Sequence, residues 1–166
     1  QPHLKPDFNL DLLRSNNYIC HFFVVRRSIV EKAGGFRKEF DGAQDYDFIF
    51  RCTEEAEKIC HIPKILYHWR CHEDSTAENP ESKQYAFEAG KRAIEAHYQR
   101  KGIRANVENG EFLGLYRTKY ILDECPFDAN HKAPDSMILK QPSGAIGFKC
   151  LHDSCQGKRW QDVRVM

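Results

Sequence analysis

Apolar and polar positions change rhythm several times along the chain, and each rhythm predicts an element. "NYICHFFVV" (17–25) is a run of aromatic and β-branched residues, the pattern of a buried strand. "RSIVEKAGGF" (27–36) reads as a short helix, with Gly34 or Gly35 supplying the left-handed stop. "QDYDFIFRCTEEAEK" (44–58) places Asp45, Ile49 and Cys52 at helical spacing. Two short strands are expected around "ICHIP" and "KILYHWR", then a polar stretch. A long helix follows from about Pro80 to Lys101, capped by Asn79 and ended by Gly102. "ANVENGEFLGLYRTKYIL" (105–122) reads as a hairpin turning at Asn109-Gly110.

At Cys125 the pattern changes. Short β-like segments with Gly, Pro and paired Cys and His replace the α/β rhythm, so the sequence places a domain boundary at about residue 123. "CPFDANH" offers Cys125 and His131, and "CLHDSC" offers Cys150, His152 and Cys155. Between them, "SMILK" and "AIGFK" form a hairpin through Pro142-Ser143-Gly144 that brings the two knuckles together. Four soft or borderline ligands in two close pairs suit a closed tetrahedral zinc site, structural rather than catalytic. The ligands chosen are Cys125, His131, Cys150 and Cys155. His152 is an alternate, because spacing alone does not exclude it. The competing reading is a set of unrelated buried thiols. With few apolar residues in 125–166, metal binding would supply much of that segment's folding energy.

Composition adds limits rather than an identity. The 166 residues are 41% hydrophobic and 30% charged, which excludes a disordered chain. A net charge of +1 names no partner. No apolar run approaches the roughly 20 residues that span a bilayer. "QPHLKPDFNL" has no signal core, so a cytoplasmic protein is expected, and cysteines there favour metal over disulfides. The chain opens without Met and reads as beginning mid-protein.

"FDGAQDYDFIFRC" (40–52) sets Asp41, Asp45 and Asp47 around Gly42 at a helix start. By local chemistry these acids cap a helix, hold a metal or take a proton, and a first-turn aspartate favoured by the helix dipole is the plainest of these. The wider text reverses that order. "KPDFNLDLLRSNNYICHFFVVRRSIVEKAGGF", "FDGAQDYDFIFRC" and "HIPKILYHWRCHEDSTA" together resemble the C-terminal half of an inverting family 2 glycosyltransferase of the GT-A fold. The resemblance implies an α/β fold for residues 1–122, the acceptor-side half of such a domain. It implies a sugar moved from a nucleotide-sugar to a glycan acceptor in polysaccharide biosynthesis. Asp45 would be the catalytic base, with Asp47 a weaker candidate. Arg70 and His72 would sit on the donor diphosphate, and Mn2+ or Mg2+ would serve the complete enzyme. Gln44 stands where the family usually has Glu. The family's nucleotide-binding half has no counterpart in this text, so this polypeptide alone is expected to be weakly active or inactive.

"CPFDANHK…GAIGFKCLHDSCQGKRWQDVR" resembles the zinc-binding element of phage and plasmid primase-helicase proteins. That implies a zinc-ribbon-like hairpin module over 125–166 that engages DNA, with Lys149, Lys158 and Arg159 toward phosphates. Trp160 would stack on a base or roof the small core. Joined to a transferase half, it reads as a fusion or a truncated fragment. The alternative function is thus zinc-dependent nucleic-acid binding, and a third reading makes 1–122 a noncatalytic scaffold.

Overall fold

Residues 3–68, 84–132, 134, 136–140 and 145–164 are described by the structure, a computed structural model. It is a mixed α/β chain whose described strands are all antiparallel. It divides into two compact units, Gln1–His97 and Tyr98–Met166.

The first unit is helical. Helix α1 (Leu10–Leu13) starts where Asn9 Oδ1 accepts the Leu12 N–H at 2.9 Å. Helix α2 (Arg27–Ala33) ends at Gly34, whose φ of 79° and ψ of 49° make it the expected left-handed stop. Helix α3 (Gln44–Glu55) buries every residue from Tyr46 to Cys52, so it is the axis of the unit rather than a one-sided surface helix. Phe23 and Phe36 set their ring edges on Phe48 at 6.3 and 5.1 Å, and Tyr46 stacks on Phe50 at 5.0 Å. The Tyr46 hydroxyl donates to the Leu13 carbonyl and ties α1 to the axis.

Helix α4 is described over Gln84–Arg100, so its expected start near Pro80 lies outside the described residues. Ala89, Ala93, Ile94 and His97 are fully buried. Arg14 Nε donates to His97 Nε2 at 3.2 Å, and His97 Nδ1 donates to Glu54 Oε1 at 2.7 Å. Its ring also stacks on Phe50 at 4.5 Å. Buried histidine is tolerated here because both nitrogens are satisfied.

One carboxylate and two guanidinium groups hold the axis in place. Asp47 is fully buried and meets two guanidinium groups. Arg37 Nε donates to Oδ2 at 3.0 Å while Nη2 donates to Oδ1. Arg51 donates to Oδ2 through Nε at 2.9 Å and Nη2 at 2.7 Å. Arg51 also donates to the carbonyls of Ala33 and Gly35, which closes the end of α2 onto α3. Burial alone would raise the Asp47 carboxyl, but the hydrogen bonds from Arg37 and Arg51 outweigh it and hold it below the usual range.

The strand expected at 17–25 and the two expected within 59–70, around "ICHIP" (59–63) and "KILYHWR" (64–70), are not formed among the described residues, Trp69 and Arg70 lying outside them. Both segments are irregular through residue 68, and Phe22, Val24, Ile62, Ile65, Leu66 and Tyr67 are exposed. A strand-forming composition needs a partner strand, and no ladder is present among the described residues of this unit. The two segments touch through rings instead, His21 and Phe22 each stacking on Tyr67 at 5.5 and 6.0 Å.

The second unit is a four-stranded sheet in the order β1-β2-β5-β6 with a two-stranded β3-β4 ribbon. Strands β1 (Ala105–Asn109) and β2 (Tyr116–Ile121) form the expected hairpin, but residues 110–115 connect them rather than a two-residue turn. Gly110 N–H donates to Leu115 O at 2.7 Å across the mouth of that loop. Strands β5 (Ser136–Lys140) and β6 (Ile146–Cys150) pair as predicted, and β5 also pairs with β2, Thr118 opposite Lys140. The boundary near residue 123 therefore falls inside one hydrogen-bonded sheet, and the compact units divide within α4 instead. Gly102 ends α4, with its N–H on Gln99 O at 3.1 Å and Ile103 N–H on Tyr98 O at 2.9 Å. The Tyr98 hydroxyl meets Thr118 Oγ1 at 2.9 Å within the second unit. No helix among the described residues is long and apolar enough to cross a membrane.

Replacing Asp47 with Asn should destabilise the first unit by about 3–5 kcal/mol, since it leaves buried Arg51 without its counter-charge. Chemical denaturation of the variant against the parent measures this. The folded carboxyl is depressed, so its contribution is complete above the usual carboxylate range. It should disappear as pH falls through the folded value, and only in the parent.

Candidate functional sites

Strands β3 (Glu124–Cys125) and β4 (Asp128–Lys132) form a tight knuckle with an irregular register at Glu124 and Cys125. The Lys132 ammonium donates to Glu124 across its open end. On the other side, β6 ends at Cys150, and a 3-10 turn over Asp153–Cys155 follows, closed by Cys155 N–H on His152 O at 3.0 Å. These two turns bring one ligand atom each from Cys125, His131, Cys150 and Cys155 within 4.8 Å of one another. Cys125, Cys155 and His131 are buried, and Cys150 is half-buried.

The spacing within this cluster is informative. Sγ of Cys125 and Sγ of Cys155 are 3.6 Å apart, and His131 Nδ1 lies 3.5 Å from Cys155 Sγ and 3.7 Å from Cys150 Sγ. A tetrahedral zinc with bonds of about 2.3 Å to sulfur and about 2.0–2.1 Å to nitrogen has edges of about 3.8 Å (S···S) and about 3.6 Å (S···N). The edges therefore fit a four-coordinate ion held by three thiolates and one imidazole. The Ser136 hydroxyl gives a second sign of fit. It is fully buried without a hydrogen-bond partner among the described residues, and it sits directly opposite Cys150 in the β5–β6 ladder. With no ion, burial and the neighbouring Cys125 and Cys150 sulfurs push the Cys155 thiol up to about 11. An ion's positive charge is what favours three thiolates in so small a space.

His152 stands beside the cluster. Its ring stacks on that of His131 at 3.6 Å, and its Nδ1 lies 3.6 Å from Cys150 Sγ. His131 Nδ1, by comparison, lies near two of the sulfurs. Behind the cluster a small core forms from Cys125, Phe148 and Cys155 with Leu122, Phe127, Ile138 and Val163. Lys158 places its ammonium over the Phe127 ring at 5.1 Å, and Trp160 is half-buried at the head of α5 (Trp160–Arg164).

In the first unit, the three aspartates separate into three environments. Asp41 is exposed, Asp45 half-exposed and Asp47 fully buried. None caps α3. The residue before that helix is Ala43, which makes no side-chain cap, and Gln44 Oε1 accepts the Gly42 N–H at 2.9 Å instead. Asp45 rides on the first turn, and its Oδ2 accepts from Asn17 Nδ2 at 3.1 Å. A carboxylate that is partly solvated, held by neutral groups (the Asn17 amide and the Cys20 thiol) and mounted on a buried helix can still take a proton. Asp47 cannot, because two guanidinium groups occupy it. The signal for its role was legible: Arg51 lies one turn on, inside an apolar run. Arg70 and His72 lie outside the described residues.

Gly42 fixes the approach to Asp45. Its φ is +94°, and a Cβ there would lie 2.7 Å from Tyr85 Cε2 and 2.9 Å from Ala86 Cα. Only glycine meets both demands.

Known proteins bear on the chain at this point. It is 48% identical over 127 residues to the uncharacterized protein y4gI of Sinorhizobium fredii, covering 75% of this chain and 14% of that protein. It is 40% identical over 119 residues to the O-antigen biosynthesis protein RfbC of Myxococcus xanthus, covering 72% of this chain and 9% of that one. The chain thus spans no more than 14% of the length of these relatives. No family model matches it, and no solved structure matches it. Neither relative's name refers to replication, so the primase likeness rests on residues 125–166 alone.

Two outcomes check these sites. Cys155→Ser should abolish stoichiometric zinc uptake and loosen the β5–β6 sheet, read by metal analysis and by amide exchange across 136–150. Gly42→Ala should lower the stability of the first unit by about 1–3 kcal/mol, read by thermal unfolding, because both a strained φ and a clash must be relieved.

Proposed function

We propose that residues 1–122 act as the acceptor-side part of an inverting glycosyltransferase in polysaccharide biosynthesis, within a longer protein. The 40% identity to an O-antigen biosynthesis protein is the observation that carries this reading, and the placement of Asp45 supports it. In this reading the Asp45 carboxylate removes the acceptor hydroxyl proton as that oxygen attacks the anomeric carbon. The nucleoside diphosphate leaves from the opposite face. The Asn17 amide and the Cys20 thiol, both neutral, hold the carboxylate without giving it a counter-charge. Arg70 and His72 would neutralise the departing diphosphate, and a divalent cation, were one bound in the complete enzyme, would supply further positive charge there. Nucleotide-sugar and glycan acceptor are the partners.

Residues 125–166 hold a structural zinc ion through Cys125, His131, Cys150 and Cys155 in this proposal. A closed set of four protein ligands gives the metal a folding role and no part in sugar transfer.

Asp45→Asn, introduced into a longer protein that carries this segment together with its donor-binding part, should lower sugar transfer by about 10²–10⁴-fold without changing stability. Transfer at parental rates in that variant would remove Asp45 from the mechanism. Retained transfer in Cys155→Ser would agree with a purely structural metal.

A further inference from the structure

The metal cluster leaves one question open: what decides which nitrogen of His131 faces the sulfurs. Nδ1 faces Cys150 and Cys155. Nε2 turns the other way, 3.3 Å from Asp128 Oδ2 and 3.4 Å from Ser154 Oγ. An imidazole that gives one nitrogen to a metal must carry its proton on the other, and that proton needs an acceptor. The geometry points to Asp128 as the positioning residue for this metal site: its carboxylate takes the His131 Nε2–H and so presents Nδ1 to the ion. The inference rests on the reading that the four residues hold a metal.

The local fold shows why Asp128 can do this. Its other oxygen, Oδ1, accepts the Asn130 N–H at 2.9 Å, so the side chain is pinned by the knuckle's own turn. Cross-strand pairing with Cys125 fixes its backbone beside a second ligand. One carboxylate therefore joins the turn, the imidazole and the strand that carries a sulfur. Ser154 lies on the far turn and its hydroxyl meets Nε2 at hydrogen-bond geometry, whereas the Asp128 carboxylate stands 3.3 Å away as an ion pair, and its charge favours the carboxylate as the proton's acceptor. Carboxylate–histidine–metal chains of this kind typically carry tenfold to hundredfold in metal affinity.

The variant that isolates this role is Asp128→Asn. An amide keeps an oxygen for one of the two N–H groups and sets a donor against the other, whichever way it turns. Zinc affinity of the full 166-residue chain is measured by competition with a chromophoric chelator, beside cobalt(II) spectra. We expect D128N to bind zinc roughly 10–100-fold more weakly, while cobalt keeps its thiolate charge-transfer and tetrahedral bands because the ligands are unchanged. S154A should stay within about threefold of the parent, as expected for a weak neutral hydrogen bond. Nitrogen-15 correlation spectra of the zinc-loaded parent should show His131 protonated at Nε2. Parental affinity in D128N, or a proton on Nδ1, would overturn the assignment while leaving the metal site standing. Loss of the cobalt bands in D128N would also overturn it, by making Asp128 indispensable to the ligand set. A parent chain that binds neither ion would instead remove the metal reading itself.

Discussion

A carboxylate with no access to water governs the first unit. Asp47 must be ionised to hold Arg37 and Arg51, and both must be present for it to stay ionised inside an aromatic core. Neither arginine is merely a counter-charge. Arg51 also donates to the carbonyl of Ala33, the last residue of α2, and to that of Gly35 just beyond it. The left-handed break at Gly34, the turn to Phe36 and the axis of α3 are therefore one hydrogen-bonded object. Asp45, two residues before Asp47, inherits a fixed backbone from it without sharing its burial.

The second unit solves a different problem. The cluster behind its knuckles has two cysteines among three buried members, and cysteine offers little apolar area. An ion bridging those sulfurs would replace missing hydrophobic burial with coordination bonds. The same residues thus serve as packing and as ligands, with Phe127 and Phe148 meeting edge to face at 5.3 Å alongside them.

What could be read in the sequence follows the range of the interaction. Gly34 as a stop, α3 from Gln44 and the Cys/His knuckles are all set by residues within a turn or two of each other. Residues 17–25 and the described part of 59–70 stay irregular because strand formation is a property of a pair, and their own side chains say nothing of a partner. The domain boundary near 123 misses the pairing of β2 with β5 for the same reason: hydrogen bonds across an intervening knuckle leave no local mark. At the acidic turn, the apolar flanks of Asp47 and its spacing to Arg51 foretell a buried ion pair. Arg37, outside the helix, is a partner that spacing does not name.

The ladder between β5 and β6 has a consequence beyond holding the sheet together. Cys150 is its last rung, opposite Ser136, and side chains on a strand alternate between faces. Sliding β6 by one residue would turn the sulfur to the other side and bring Lys149 or Leu151 toward the knuckle. Occupancy by an ion would then act as a proofreader of strand alignment, accepting the native pairing and rejecting its nearest competitors.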